Sequence, residues 1–263
     1  MKSILFAVLP GLVITFLTFY SNSAFSMHND WQNPRYIQKA FNEIALKNEY
    51  KTTEKRILKW QIPILYRFKY HELPNNPMVE TLFNEHFKHL ASITGHAIAP
   101  TEGNANLTIH LLKDAQYASV IKQVNNDSVK NLSRESNCMG TLHLDNQHNI
   151  VSGDIIIPVD HAFSRGLLTA CVVEESTQMM GLPNDSDWVT PSVANDASRL
   201  DLLTGLDYVF LTILYDPELT SGMAFEQSQP VISRKIQTLQ NTGVIENANK
   251  LVNQGGIYPL LFN

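Results

Sequence analysis

Residues 172–185 read Val-Val-Glu-Glu-Ser-Thr-Gln-Met-Met-Gly-Leu-Pro-Asn-Asp, and this run constrains the chain more than any other. Glu174 and Gln178 stand four residues apart, so a helix through them presents both on one face. Glu175 points about 100° away from Glu174, because a helix has 3.6 residues per turn. Gly181 is a natural helix stop, after which the chain turns and delivers Asn184 and Asp185, with Asp187 two residues on. The fold must therefore hold a helix with oxygen-bearing side chains at fixed spacing and break it sharply at one glycine.

The rest of the chain can build a core around such a helix. It has 263 residues, 44% hydrophobic and 17% charged, which suits a globular protein of one large or two small domains. The net charge of -5 comes with no clustered Lys and Arg, so nothing points to nucleic acid as a partner. The start reads as a secretory leader: Lys2, an apolar run over residues 4–19, and small residues at Ala24 and Ser26 for cleavage after residue 26. Residues 1–26 are therefore expected to be a signal peptide. The protein is expected to be exported, to the periplasm or the medium, and to touch a membrane only if the leader is retained. Cys138 and Cys171 form an even pair in such a protein and predict a disulfide, stabilising by about 3 kcal/mol through loop closure. A cysteine nucleophile is the rival reading.

Apolar spacing and turn residues order the elements. Asn33-Pro34 opens a helix to about Lys47, and Pro77 opens another that Gly95 stops. Residues 57–70 alternate as a strand with a bend or edge position at Pro63. Strands are predicted over 106–112, 139–144 and 150–159, with a helix over 114–124 and Asp160 capping the helix that carries Glu174. Val231, Ile232, Ile236 and Leu239 add an amphipathic helix, and the apolar residues 257–262 are expected to dock on the domain. The order predicts an α+β fold with one mixed sheet and packed helices. The expected segments are the leader, an N-terminal helical piece over 27–55, the main domain over 56–223 and a helical tail over 224–263.

The run E-E-x-x-Q-x-x-G-L-x-N-D at Glu174 to Asp185 resembles the metzincin pattern H-E-x-x-H-x-x-G-L-x-H. The likeness continues through Pro191-Ser192-Val193-Ala194-Asn195, Leu203-Thr204-Gly205-Leu206-Asp207 and Leu214-Tyr215-Asp216-Pro217, about 45 residues in all. Val193 stands where such enzymes keep a buried methionine. The strand from Asp154 resembles the edge strand that lines their substrate cleft. With Cys171 ahead of Glu174-Glu175, and Gly222-Met223 after Leu214 to Pro217, the chain is also similar to the proteobacterial domain of unknown function 2927. That resemblance implies an exported envelope protein with a zincin-like core, and no reaction.

Glu174, Gln178 and Asn184 occupy the three ligand places. Zinc prefers nitrogen and sulfur, and amide carbonyls are poor ligands for it, so no metal or other cofactor is expected. A hard ion such as Ca²⁺ or Mg²⁺, helped by Asp185 and Asp187, is the alternative. Glu175 is the candidate general base, with Glu174 a candidate acid partner; its bland reading is a buried structural carboxylate. His86 and His89 are expected to be solvated, behind the sheet. His110, His143 and His161 are expected to be packed or surface histidines. The function expected is a non-catalytic pseudopeptidase that binds an extended peptide, a glycan or an envelope protein in the old cleft, by strand addition at residues 154–159. The alternative is a hydrolase using Glu175.

Overall fold

The structure is a computed structural model that describes residues 30–47, 55–125, 136–195, 197–198 and 200–262. The expected leader lies outside the described residues. Helix α1 (Pro34–Ala45) starts where Asn33 accepts a hydrogen bond from the Arg35 backbone N–H and Pro34 takes the first helical position. It buries Ile37, Ala40, Phe41, Ile44 and Ala45. Helix α2 (Pro77–Thr94) repeats the design, with Asn76 as cap, and ends at Gly95, whose φ of 69° needs no strain in glycine.

The strand expected over 57–70 divides at Pro63 into β1 (Lys59–Trp60) and β2 (Ile64–Tyr70). Proline lacks the N–H a ladder requires. The sheet continues with β3 (Ile98–Pro100), β4 (Leu107–Leu112), β5 (Met139–Leu144) and β6 (Asn149–Pro158). Strand β6 is parallel to β4, β4 to β2 and β2 to β3, while β5 runs antiparallel along β6; β1 pairs with the start of β6. The fold is α+β with a mixed sheet.

This order corrects one expectation. Residues 154–158 are not an edge, because β6 is paired on one side with β4 and on the other with β5. The continuous burial of Ile155, Ile156 and Ile157 has the same cause: a strand inside the sheet is covered on both faces.

Helices cover both faces. On one, Leu107, Ile109, Ile155 and Ile157 join Phe83, Phe87 and Leu90 of α2 and Val172 and Val173 of the motif helix. On the other, Leu112, Met139 and Ile156 pack under Tyr117, Val120 and Ile121 of α3 (Asp114–Asn125). Asp160 does not cap the motif helix. It sits in a separate short helix, α4 (Val159–Ser164), and Gly166 at φ 71° turns the chain before α5 (Leu168–Gln178) begins.

Beyond the motif come α6 (Gly205–Leu214), α7 (Phe225–Asn241), α8 (Val244–Val252) and α9 (Tyr258–Phe262). Ile232, Ile236, Ile245 and Val252 belong to the same core cluster as α1 and the sheet. No described helix is long and apolar enough to cross a membrane.

Cys138 and Cys171 are joined, with Cα atoms 5.8 Å apart. The bond ties the start of the edge strand β5 to the middle of α5, and it closes a loop over a sequence separation of 33. Replacing both cysteines with serine is expected to lower unfolding free energy by about 3 kcal/mol, read from urea denaturation of oxidised wild type against the variant.

Candidate functional site

Helix α5 ends on the sheet at two glycines. A Cβ on Gly140 of β5 would lie 2.5 Å from Met179 Cε and 2.8 Å from Glu175 Oε2, and one on Gly153 of β6 would lie 3.0 Å from Met179 Sδ. A side chain at either glycine would have to push the tips of Met179 and Glu175 aside. The carbonyls at that end would be orphaned by the break. The buried Trp60 indole donates to Met179 O at 2.7 Å, and the Tyr215 hydroxyl donates to Met180 O at 3.0 Å. Gly181 follows at φ 109°, where a side chain would also collide with the Leu58 carbonyl.

Each expected site residue has a definite place. Glu175 is 5% exposed and faces the sheet; its Oε2 is sealed from solvent against Gly140. Glu174 and Gln178 are half-buried on another side of the helix. Gln178 Nε2 donates to Asp185 Oδ1 at 2.7 Å. Asn184 is 6% exposed, and its Nδ2 donates to Glu43 O at the end of α1 (3.1 Å) and to Asp185 O (2.7 Å). Asp187 is exposed. The structure thus pairs Gln178 with Asp185, while Asn184 clamps the post-helix turn to α1.

This donor set does not fit a metal ion. A hard cation requires converging oxygens. Asn184 presents its amide nitrogen to two carbonyls, and Gln178 presents its nitrogen to a carboxylate. Among the described residues no three of His, Cys, Asp and Glu gather as ligands for one ion.

Asp207, quoted above only as part of a pattern, anchors the segment that follows. It is buried, and it accepts from Ser192 Oγ (2.6 Å), Val193 N (3.2 Å), Thr204 N (2.8 Å) and Thr204 Oγ1 (2.9 Å). Burial pushes its carboxyl above the usual carboxylate range, against the pull of those hydrogen bonds. Val193 is buried in the resulting turn.

Two histidines were misjudged by sequence. His86 and His89 are buried rather than solvated, because α2 packs on α5 through the stripe Val79, Phe83, His86, Phe87 and Leu90. The Thr177 hydroxyl donates to Val173 O at 2.6 Å, so its oxygen accepts from His86 Nε2 at 3.2 Å. His89 lies under Gly255 and Gly256. Burial lowers His86 to about 3 and His89 to about 4. His161 sits on α4, with Nε2 3.2 Å from Asn137 Oδ1.

The model of a family described as a protein of unknown function (DUF2927) matches residues 34–234, from α1 into α7. The chain belongs to that family. No curated protein matches it. The family match spans the seat of α5, the Asn184 clamp and the Asp207 anchor, so all three lie within the DUF2927 unit.

Placing histidine at all three positions in this DUF2927 chain (Glu174→His, Gln178→His, Asn184→His) is expected not to create a tight zinc site, because position 184 points to α1. Calorimetric titration with zinc checks this; nanomolar-range binding would contradict it. Acid stability gives a second check. His86 and His89 have folded pKa values depressed below the unfolded value of about 6.5, so the unfolded chain binds more protons in acid. Stability should hold above about pH 6.5 and fall toward pH 3–4, by up to about 1.4 kcal/mol per pH unit for each histidine. Urea midpoints against pH should show this slope, reduced in His89→Gln.

Proposed function

We propose that this protein is an exported, zincin-like pseudopeptidase: a binding or scaffolding protein of the bacterial cell envelope. The observation that carries the reading is the use made of Gln178 and Asn184. Both side chains stand at ligand places of the pattern, and both are committed to hydrogen bonds that hold the helix end, the turn and α1 together.

The zincin-like reading needs an edge strand beside the motif helix and a pinned turn beyond it. Strand β5, antiparallel to β6 and joined to α5 by the disulfide, supports the first; the Asp207-anchored segment with buried Val193 supports the second. Export is supported by the leader-like start of the sequence and by a disulfide, which persists in oxidising compartments.

The bound partner is an extended peptide or a glycan strand. Its place moves with the edge, from β6 to β5 and the neighbouring turn at 183–187, where main-chain pairing supplies affinity and adjacent side chains supply selectivity. A hydrolase built on Glu175 is the weaker reading, since a general base must reach a water and Glu175 Oε2 is sealed against the sheet.

The test is incubation of the protein with a mixture of unstructured peptides, with and without Ca²⁺ or Mg²⁺, followed by mass spectrometry and hydrogen exchange. Peptides recovered intact, with new protection on β5, are expected. Cleavage that disappears in Glu175→Gln would contradict the proposal.

A further inference from the structure

Helix α1 carries two cations that the fold leaves unneutralised. Arg35 and Lys39 stand one turn apart on the same side of the helix, and both are exposed. Like charges at that spacing repel each other. The acid of this helix, Glu43, is engaged by Lys47 at 2.6 Å. Asp187 is exposed as well and pairs with neither cation. Among the described residues Arg35 and Lys39 enter no ion pair.

The segment 184–190 runs back along α1 and sets an aromatic ring beside these cations. Asn184 bonds to Glu43 O near the end of the helix, and Thr190 bonds to Tyr36 near its start. Between them Trp188 meets the Tyr36 ring edge-to-face, with centroids 5.9 Å apart. Lys39 Nζ lies 4.3 Å from the centre of the Trp188 ring. Trp188 is half-buried, whereas Trp31 and Trp60 are buried. Its indole N–H meets no acceptor among the described residues.

We propose that Arg35, Lys39 and Trp188 form a binding site for a carboxylate-bearing sugar chain, an acidic glycan. The proposal rests on the binding role given above and names its ligand class at the α1 end of the same turn segment. The two cations take the carboxylate, and the planar Arg35 guanidinium can hold both of its oxygens. The C–H face of the sugar ring lies on the indole, whose N–H donates to a hydroxyl. Lys39 leaves the ring as the sugar arrives, because a cation–π contact at an exposed site is weak. Its ammonium then meets the carboxylate.

The backbone favours a sugar over a peptide here. Strand addition requires open main-chain N–H and C=O groups. Thr190 N donates to the Tyr36 hydroxyl at 2.7 Å, and that hydroxyl donates to Thr190 O at 2.8 Å, so this stretch is already closed onto α1. Side chains are left for the ligand: a flat ring and two cations. The net charge of -5 gives the chain no general attraction for polyanions, so an acidic ligand has to be held by a local cationic patch.

The test is titration of the whole protein with an oligogalacturonate, with its methyl-esterified form and with oligoglutamate, followed by tryptophan emission. Trp188 is the tryptophan nearest solvent, so the emission change reports this site. Saturable binding of the oligogalacturonate is expected, with little response to the ester or to oligoglutamate. Arg35→Gln and Lys39→Gln, both at exposed positions, should each weaken it about tenfold, the size expected for losing a bond to a charged group. Hydrogen exchange separates this site from the earlier reading: the sugar should protect residues 35–40 and 187–190 and leave β5 unchanged, whereas protection of β5 by peptides tests that reading alone. No saturable binding, an affinity unchanged in both variants, equal binding of the ester or of oligoglutamate, or protection by the sugar confined to β5 would overturn the assignment.

Discussion

The close approach of the α5 terminus to Gly140 and Gly153 is the constraint from which the rest of the site follows. With no side chain on either strand position, the Met179 and Glu175 side chains lie against the sheet where the helix ends. Its end carbonyls then need donors, which Trp60 and Tyr215 supply from β1 and from the end of α6. Those two residues come from distant parts of the sequence, so seating the helix also brings β1 and α6 into register. The Cys138–Cys171 bond fixes the same contact covalently from the edge strand.

Once seated, the polar residues of the motif act on the architecture around them. Gln178 holds Asp185, and Asn184 bridges the turn to the Glu43 carbonyl in the last turn of α1. A metal-dependent hydrolase needs groups that converge on one point in a cleft. Here Glu175 faces the sheet, Gln178 reaches along the turn and Asn184 reaches α1. A buried amide is costly to leave unbonded, so each such commitment also resists reversal. The proposed scaffold reading rests on these hydrogen bonds, in a segment that resembles an enzyme motif.

What was legible in the sequence was local. Asn33-Pro34 announced the start of α1, Pro77 that of α2, Gly95 the end of α2, Pro63 a bend or edge where the strand divides, and two cysteines the disulfide. The edge strand was misplaced because pairing order is non-local, although the unbroken Ile155-Ile156-Ile157 run already suits an interior strand. Strand β3 covers three residues and carries no periodicity to read. His86 lies in register with Val79, Phe83, Phe87 and Leu90, so helical spacing held the clue to its burial. One partner of Asn184 is a backbone carbonyl 141 residues away, which no local pattern encodes.

The two faces of the sheet carry opposite chemistry. One buries neutral histidines and a sealed carboxylate beneath helices; the other keeps an ionised aspartate among imidazoles near solvent. The motif belongs to the first face, where dryness favours structure over catalysis. The most direct measurement is the metal content of protein purified without added metal. Well below one ion per chain is predicted, with unfolding unchanged by chelator. One tightly held ion per chain, lost in Glu174→Ala, would contradict a scaffold whose polar groups are already bonded to each other.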